Sequence, residues 1–420
     1  MASKNSSELK EFYKKSHDER LAELKEVADL SEQEIELLKG LKPLDFATAD
    51  RMIENVIGVF PLPLGIATNF LVNGKDILIP MALEEPSVVA AASNSAKLAR
   101  SGGGFISKST QPIMIGQIQL LDVPDISSAI KKISAQKKEL LEFCNSLDST
   151  LVKFGGGAKD FELREINSAI GKMLIFHLLV DVRDAMGANA VNTMCEKLSS
   201  KLEELSGGRR RLRILSNLAI YRIVHAKTVW KKEILGEETI QGVIEAYEFA
   251  VADQFRCTTH NKGIMNGIDA VVIATGNDFR AIEAGAHSFA AYNHSYTSLT
   301  KYSKNSSGDL IGEIELPMAV GTIGGATKTH PMAQLSLKIL KVKSAQELAE
   351  IIACVGLAQN FAALRALAME GIQQGHMKLH AKNVAVMAGA KGNLIDKIAQ
   401  QMAEEKNVSF TRAQEILKSF

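Results

Sequence analysis

The chain has 420 residues, of which 46% are apolar and 23% are charged. This composition is typical of a globular protein with a large core, and it excludes disordered and collagen-like chains. Lys and Arg number 49 against 48 Asp and Glu, so the total charge gives no attraction to nucleic acid or to anionic lipid. The length is too great for one core and predicts two or three structural units.

The cysteines indicate a reducing compartment. Four cysteines are scattered along the chain without a C-x-x-C pair, which argues against a disulfide framework and against a thiolate zinc site. The first 42 residues are rich in Lys and Glu and lack an apolar segment of signal length. We therefore expect a cytoplasmic protein that binds neither a membrane nor nucleic acid.

The first third of the chain shows clear local signals. Residues 7–40 have the pattern of amphipathic helix, with a capping box at Ser31 and Glu34. Asn73-Gly74 between two apolar runs predicts a β-hairpin. A helix is expected over residues 88–98, ending before three consecutive glycines at 102–104.

The next hundred residues predict an inserted α+β unit. It contains a strand over 113–121, a helix over 127–154 and a further strand around 173–181, with a glycine hinge at 155–157.

The remainder is expected to return to the main unit. A helix is predicted at 241–255, a buried strand at 268–274, and a long apolar helix from Ser344 toward Gly371. A small helical tail follows, with Thr411 opening its last helix.

Several loops carry groups suited to chemistry. Neither of the common nucleotide-binding glycine motifs is present, but Asp184–Asn189 follows an apolar strand where backbone N–H groups could hold a phosphate. Glu84 and Glu85 follow a strand and precede an apolar helix. One of them could be a proton donor with a raised pKa, or both could complement the helix dipole. Ser87 could cap that helix or bind a substrate carboxylate.

Lys262 stands out because it lies between His260-Asn261 and two glycines, outside any charge run. Such a lysine could stabilise an oxyanion, or could be a solvated loop cation. Asp278 could cap the next helix or pair with Lys262.

His376 and His380 are spaced to share one helical face. A zinc pair is one reading, but the glutamate of H-E-x-x-H is missing and no third ligand is evident. One histidine could instead be a proton donor, or both could lie at a helix end. Gly375 indicates a hinge, and a hinged tail can close over a site.

Six motifs in order resemble class II 3-hydroxy-3-methylglutaryl-coenzyme A (HMG-CoA) reductase, over the chain from about residue 10 to its end. The class II assignment rests on the Asn-Lys-Gly-Ile-Met-Asn-Gly form at Asn261 and on the lack of an anchor region. The motifs are Glu54–Gly58, Glu85–Ala92, Asp184–Asn189, His260–Asp269, Gly276–Asp278 and Gly375–Met377.

The resemblance implies an α+β fold. A large mixed α/β substrate-binding domain (1–111 and 218–374) would carry an inserted ferredoxin-like, non-Rossmann cofactor domain (112–217) and a helical C-terminal flap (375–420). Family members form homodimers with shared active sites, so we expect a homodimer, which could assemble further, with Glu54–Gly58 near the interface.

The implied reaction converts HMG-CoA to mevalonate and CoA by two hydride transfers from NAD(P)H, through a mevaldyl-CoA hemithioacetal and mevaldehyde. The direction in the cell is left open. Lys262 would stabilise the oxyanions, and Asp278 would hold Lys262. Glu85 would supply a proton in aldehyde reduction, and His376 would protonate the departing thiolate.

The resemblance also implies binding residues, and no metal. Asp148 would accept a hydrogen bond from the ribose 2′-OH and repel a 2′-phosphate, which favours NADH over NADPH. The substrate would be bound by Ser87, Arg256 and Asn266, and the cofactor by Asp184, Met186, Gly187, Asn189 and Asn217.

Three other functions are compatible with parts of the sequence. A non-catalytic CoA or acyl-thioester binding protein would be favoured by loss of a catalytic residue, but all four are present. A metal-dependent hydrolase centred on His376 and His380 is a second hypothesis, which an activity that a chelator does not inhibit would exclude. A purely structural helical oligomer leaves Lys262 and Asp278 unexplained.

Overall fold

The N-terminal segment forms two short helices rather than one continuous helix. The computed structural model describes residues 6–40, 44–293, 295–369, 381–405 and 407–420. Helix α1 (His17–Ala28) ends at Asp29, which has a left-handed φ of 52°, and α2 (Glu32–Lys39) begins at the predicted capping box of Ser31 and Glu34. A third helix follows, α3 (Phe46–Met52).

The predicted hairpin is confirmed. Strands β1 (Leu64–Val72) and β2 (Lys75–Ala82) are antiparallel, and Asn73 and Gly74 have positive φ values of 49° and 77°, as a tight hairpin turn requires. Helix α4 (Val88–Ala99) then leads through the glycine run into β3 (Phe105–Ser109).

A four-stranded antiparallel sheet occupies the middle of the chain. Its strand order, β5-β6-β4-β7, with helices on its crossovers, is the ferredoxin-like β-α-β-β-α-β arrangement. The helix predicted over 127–154 is divided into three. The elements are β4 (Ile113–Leu121), α5 (Ile126–Ala135), α6 (Lys137–Ser146), α7 (Ser149–Lys153), β5 (Gly157–Ser168), β6 (Gly171–Asp181), α8 (Ala188–Ser206) and β7 (Arg209–Ser216).

The chain then completes a second sheet, of six strands. Its order is β2-β1-β3-β8-β10-β9, and only the β1–β3 pair is parallel. The remaining elements are β8 (Ile223–Trp230), α9 (Lys232–Leu235), α10 (Glu237–Ala252), α11 (Gln254–Ala274), α12 (Phe279–Ala290), β9 (Thr300–Lys304), β10 (Leu310–Pro317), α13 (Gly325–Thr329), α14 (Pro331–Leu340), α15 (Ala345–Met369), a helical stretch at 381–387 (α16), α17 (Asn393–Glu404) and α18 (Phe410–Leu417).

The strand predicted at 268–274 is wrong, because these residues form the last two turns of α11. The helix packs against α15, β2 and α10, and in these last two turns every side chain except that of Asp269 is apolar, which hides the helical period. The predicted start of the last helix is also wrong. Helix α18 is capped by Ser409, whose hydroxyl accepts a hydrogen bond from the Arg412 N–H, and not by Thr411.

Helix α15 is the core of the larger unit. Within the described ranges it alone has the length and hydropathy of a membrane span, but 67% of its most apolar window is buried inside the protein. It packs against α11, α4 and α10 and against the six-stranded sheet. A core helix accounts for this composition.

The close contact between α11 and α15 depends on Gly267. A Cβ at this position would lie 2.9 Å from the Gln359 Cβ and 3.1 Å from the Val355 carbonyl oxygen. By contrast, a Cβ at Gly263, one turn earlier, would meet no atom within 4 Å.

These two glycines predict opposite effects on stability. Gly267→Ala should lower the free energy of unfolding by about 1–3 kcal/mol, because the packed helices must separate. Gly263→Ala should leave it unchanged or raise it by up to about 1 kcal/mol, because alanine favours the helix. Urea denaturation of both variants measures the difference, and equal effects would contradict the close contact.

Candidate functional site

The structure brings Lys262 and Glu85 together, although they are far apart in sequence. Lys262 projects from the middle of α11, and Glu85 lies in the loop between β2 and α4. The Lys262 Nζ is 3.5 Å from the Glu85 Oε2, with 62% and 37% of the two side chains exposed. An exposed pair of this kind contributes little to stability, so its position at an open surface favours a role in binding or chemistry.

The loop that carries Glu85 ends in an unusual backbone conformation. Ser87, the residue before α4, has a φ of 75°, in the left-handed region that a side chain disfavours. Such conformations persist where the surrounding structure enforces them, and they cluster at functional sites. Ser87 is thereby held two residues from the Glu85 carboxylate.

One face of α11 carries the polar groups of the site. Lys262, Asn266 and Asp269 are spaced at i, i+4 and i+7 and so lie along a single stripe. Arg256 lies in the first turn of the same helix and forms no ion pair with any carboxylate in the described part of the chain. Burial lowers its pKa from the ordinary value. A half-buried guanidinium without a partner carboxylate suits an anionic ligand.

Two neighbours of Lys262 in the sequence are structural. The His260 ring lies in the core with its Nε2 2.8 Å from the hydroxyls of Ser298 and Thr300, and burial lowers its pKa to about 3. Asn261 accepts from the Leu299 N–H. These contacts fix the register of α11, which leaves Lys262 as the residue of this motif that faces solvent.

Asp278 does not contact Lys262 within the described chain, and the predicted pairing stays a prediction. Its carboxylate caps α12, accepting from the backbone N–H groups of Arg280 and Ala281 at 3.0 and 3.2 Å. It also lies 3.0 Å from the Arg280 guanidinium. The physical reason is the helical state of α11: the rise from Lys262 to Ala274 is about 18 Å, and Asp278 follows the far end.

The predicted cofactor loop joins β6 to α8. Gly187, at its end, has a φ of 104°, and no side chain caps α8, so the first N–H groups of a long helix are left for an anion. The Asp184 carboxylate accepts from the Ala345 N–H at 2.8 Å, and the Asp184 carbonyl accepts from Thr322. One oxygen of Asp184 therefore docks the loop onto the N-terminus of α15.

Sequence reasoning missed the residues that hold this loop. The buried Arg222 guanidinium donates to the carbonyls of Ala185 and Met186 at 3.2 Å and to that of Val320 at 2.5 Å. Its partners lie as much as 98 residues away, so no local pattern shows them.

The second missed element is the glycine run that begins at Gly321. Asn277 binds both the N–H and the carbonyl of Gly321, at 2.7 and 3.1 Å. A Cβ on Gly321 would come within 2.6 Å of the Met186 nitrogen. A glycine cluster between β10 and α13 was the available signal for a loop that another backbone approaches closely.

The structure says less about the roles of the other predicted site residues. The Asp148 carboxylate accepts from the Leu151 N–H at 2.9 Å and caps α7, and its predicted contact with the ribose stays a prediction. Asn217 lies exposed between β7 and β8. His376 and His380 lie outside the described residues. In the part of the chain that is described, no group of three or more His, Cys, Asp or Glu side chains could hold a metal.

Comparisons with known proteins agree over most of the chain. A family model described as hydroxymethylglutaryl-coenzyme A reductase matches residues 16–381. The chain is 58% identical to 3-hydroxy-3-methylglutaryl-coenzyme A reductase of Archaeoglobus fulgidus, over 98% of this chain and 94% of that protein. The probable enzyme of Borreliella burgdorferi is 36% identical over 97% and 95% of the two chains. The class II enzyme of Streptococcus pneumoniae, solved bound to NADPH in open conformations, has a TM-score of 0.83 at 43% identity and covers 96% of this chain and 99% of that chain.

Arg222 should control the order of the predicted cofactor loop. In Arg222→Met, one buried and two partly buried carbonyls lose their donor, so hydrogen–deuterium exchange should rise at 184–187 and 320–323, with a loss of about 1–3 kcal/mol in stability. The matched control is Arg100→Met, since Arg100 is also largely buried and binds the Asn69 carbonyl and Asp76. Equal exchange in those two segments for both variants would contradict the assignment.

Proposed function

The chain belongs to the hydroxymethylglutaryl-coenzyme A reductase family, and on that premise we propose that it converts HMG-CoA to mevalonate and CoA by two hydride transfers from NAD(P)H. The single observation that carries the chemical proposal is the pair formed by Lys262 and Glu85, at 3.5 Å. The route passes through the mevaldyl-CoA hemithioacetal and mevaldehyde, and the same site serves the reverse oxidation.

Lys262 and Glu85 supply the two functions that carbonyl reduction needs. When a hydride reaches a carbonyl carbon, negative charge develops on the oxygen. The Lys262 ammonium would stabilise that oxyanion, and Glu85, within reach of the same atom, would deliver the proton that makes the aldehyde oxygen an alcohol. His376 would protonate the CoA thiolate, which prevents the thiolate from adding again to the aldehyde.

Groups around this pair would hold the acyl chain. Arg256 is half-buried and forms no ion pair in the described ranges, so its planar guanidinium is suited to the free carboxylate of the substrate. Asn266 lies one turn after Lys262 on the same helical face, and Ser87 lies two residues after Glu85. Both would donate hydrogen bonds that orient the thioester beside Lys262.

The uncapped start of α8 fits a dinucleotide phosphate, because its first N–H groups lack a side-chain partner. The cofactor supplies hydride when it is bound. Asp148 would accept from the ribose 2′-OH, which favours NADH. We assign the cofactor domain to 112–217, between the two parts of the large domain at 1–111 and 218–374, and the closing flap to 375–420. The cofactor would be held by Asp184, Met186, Gly187, Asn189 and Asn217, and no metal takes part.

We further propose a homodimer with shared active sites. The segment before β1 exposes apolar side chains, among them Ile53, Ile57 and Phe60, of which Ile57 and Phe60 are at least 90% exposed, and such a patch marks an interaction surface. Asp278 forms no contact with Lys262 of its own chain in the described structure. A second copy could place its Asp278 there, which would restore the predicted ion pair. The four buried free cysteines are in keeping with the reducing cytoplasm.

The first prediction from this proposal concerns Lys262. Purified protein should oxidise NADH, faster than NADPH and without effect of chelator, when HMG-CoA is added and absorbance at 340 nm is followed. Lys262→Ala should lower kcat by about 100- to 1000-fold, the usual cost of losing one oxyanion contact.

The matched control is Lys301→Ala, at an exposed lysine of β9 that forms no salt bridge with a described residue, and its turnover should be normal. Asp148→Ala should reduce the preference for NADH. Normal turnover in Lys262→Ala would refute the proposed mechanism. An unchanged ratio of the rates with NADH and NADPH in Asp148→Ala would show that another residue selects NADH.

The second prediction concerns the shared site. Lys262→Ala and Asp278→Ala should each be inactive alone, whereas co-refolded mixtures should recover about a quarter of wild-type activity. Half of the dimers are then mixed, and one of the two sites in each mixed dimer has both residues intact. Mixtures that stay inactive, although gel filtration shows dimers, would place both residues of a site in one chain.

A further inference from the structure

We propose that Asp269, Glu283 and His287 form a second acid–base unit beside Lys262, in which the two carboxyl groups share one proton and Glu283 stays ionised opposite the Lys262 ammonium. These residues would act as positioning residues for Lys262. The proposal rests on the proposed function, which gives Lys262 its oxyanion, and it adds groups that the mechanism above does not use.

The placement of the unit follows from two packed helices. Asp269 lies on the stripe of α11 that also carries Lys262 and Asn266, two turns after Lys262. Helix α12 folds back against α11 after a short turn, and it presents Glu283 to Asp269. Both carboxyl groups therefore adjoin the face of α11 on which the substrate would lie.

Direct contacts hold the unit. The His287 Nε2 lies 2.7 Å from the Glu283 Oε2, and the His287 Nδ1 lies 2.7 Å from the Tyr296 hydroxyl. The His287 and Tyr296 rings also stack, with their centroids 6.0 Å apart. The Asp269 Oδ1 is fully buried and has no hydrogen-bond partner in the described chain. A carboxyl group so enclosed is costly to ionise.

The pKa values of the two carboxyl groups shift in opposite directions, as expected if the groups share one proton. Burial and the neighbouring Glu283 carboxylate hold the pKa of Asp269 well above its usual range. The hydrogen bond from His287, followed by that from Asp269, by the charge of His287 and last by that of Lys262, holds the pKa of Glu283 below its usual value against the opposing effect of burial. Asp269 therefore carries the proton, and Glu283 carries the charge.

The groups that face the pair are few. On α12 they are Glu283 and His287, and on α11 they are Asp269 and Lys262. Tyr296, from the loop after α12, lies behind His287, and burial raises its pKa, so it remains a neutral hydrogen-bond partner. Among described residues no other charged side chain acts on the two carboxyl groups.

The consequence for the reaction is a fall in kcat on the alkaline side of its pH profile. While Asp269 is protonated, the pair adds only the charge of Glu283 to that of Glu85 around Lys262, and the ammonium can still stabilise the developing oxyanion. As pH rises through the elevated pKa of Asp269, a further negative charge appears on the same stripe of α11, two turns from Lys262. Stabilisation of the oxyanion should then weaken, and kcat should fall.

The experiment compares the pH profile of kcat in wild type, Asp269→Asn and Asp253→Asn. Asparagine at 269 keeps the hydrogen bond but cannot ionise, so the alkaline limb should move up by about one pH unit or more. Asp253→Asn makes the same substitution at the N-terminus of the same helix, where the side chain caps α11, and should leave the profile unchanged. An alkaline limb that stays in place in Asp269→Asn overturns the proposal.

A measurement that needs no turnover separates this proposal from the proposed function. Carbon-13 NMR of the carboxyl groups should show one Asp resonance that titrates above neutrality, absent from Asp269→Asn and present in Asp253→Asn. If Asp269→Asn does not fold, Glu283→Gln replaces it and should lower that titration toward the ordinary range. A wild type that shows the titration but never oxidises NAD(P)H would refute the proposed function and support the shared proton. A wild type that turns over without the titration would refute the shared proton alone.

Discussion

The contact between α11 and α15 is the constraint on which the site depends. Gly267 allows the two helices to touch, since a single Cβ there would strike the Gln359 side chain. Because α11 is then a continuous buried helix, its one polar stripe is held against the opening where Lys262 meets Glu85. Because α11 continues to Ala274, the chain has left that opening before it reaches Asp278. One packing contact therefore decides which groups meet within a chain: Lys262 contacts Glu85 and does not contact Asp278.

A second set of contacts joins the ferredoxin-like unit to the larger one. Arg222 holds three carbonyls from both sides of the junction, and the Asp184 carboxylate binds the N-terminus of α15. Buried donors and acceptors are costly to leave unpaired, so the loop that begins α8 keeps one position relative to α15. The two candidate sites, one for hydride donor and one for acceptor, are thus fixed to the same core helix.

Features governed by local chemistry could be predicted from the sequence. The Asn73-Gly74 turn and the Ser31 capping box depend on residues only a few positions apart. The run from Ile268 to Ala274 could not be assigned, because a helix buried on most sides loses the periodicity that distinguishes it from a strand. The role of Arg222 could not be predicted for a different reason: the carbonyls to which it donates lie far along the chain. The catalytic roles of Lys262 and Glu85 were implied by the family resemblance, but no spacing in the sequence could predict their contact.

The central claim is that a complete site needs Lys262 and Glu85 from one chain and Asp278 from another. A crystal structure of the assembled protein with HMG-CoA bound tests it most directly, through the distances from the Lys262 Nζ to each Asp278 carboxylate. The account predicts a hydrogen-bonding distance to the Asp278 of the second copy, with Glu85 of the same chain on the other side of the thioester. A bound thioester whose Lys262 meets Asp278 of its own chain, or no Asp278 at all, would contradict it.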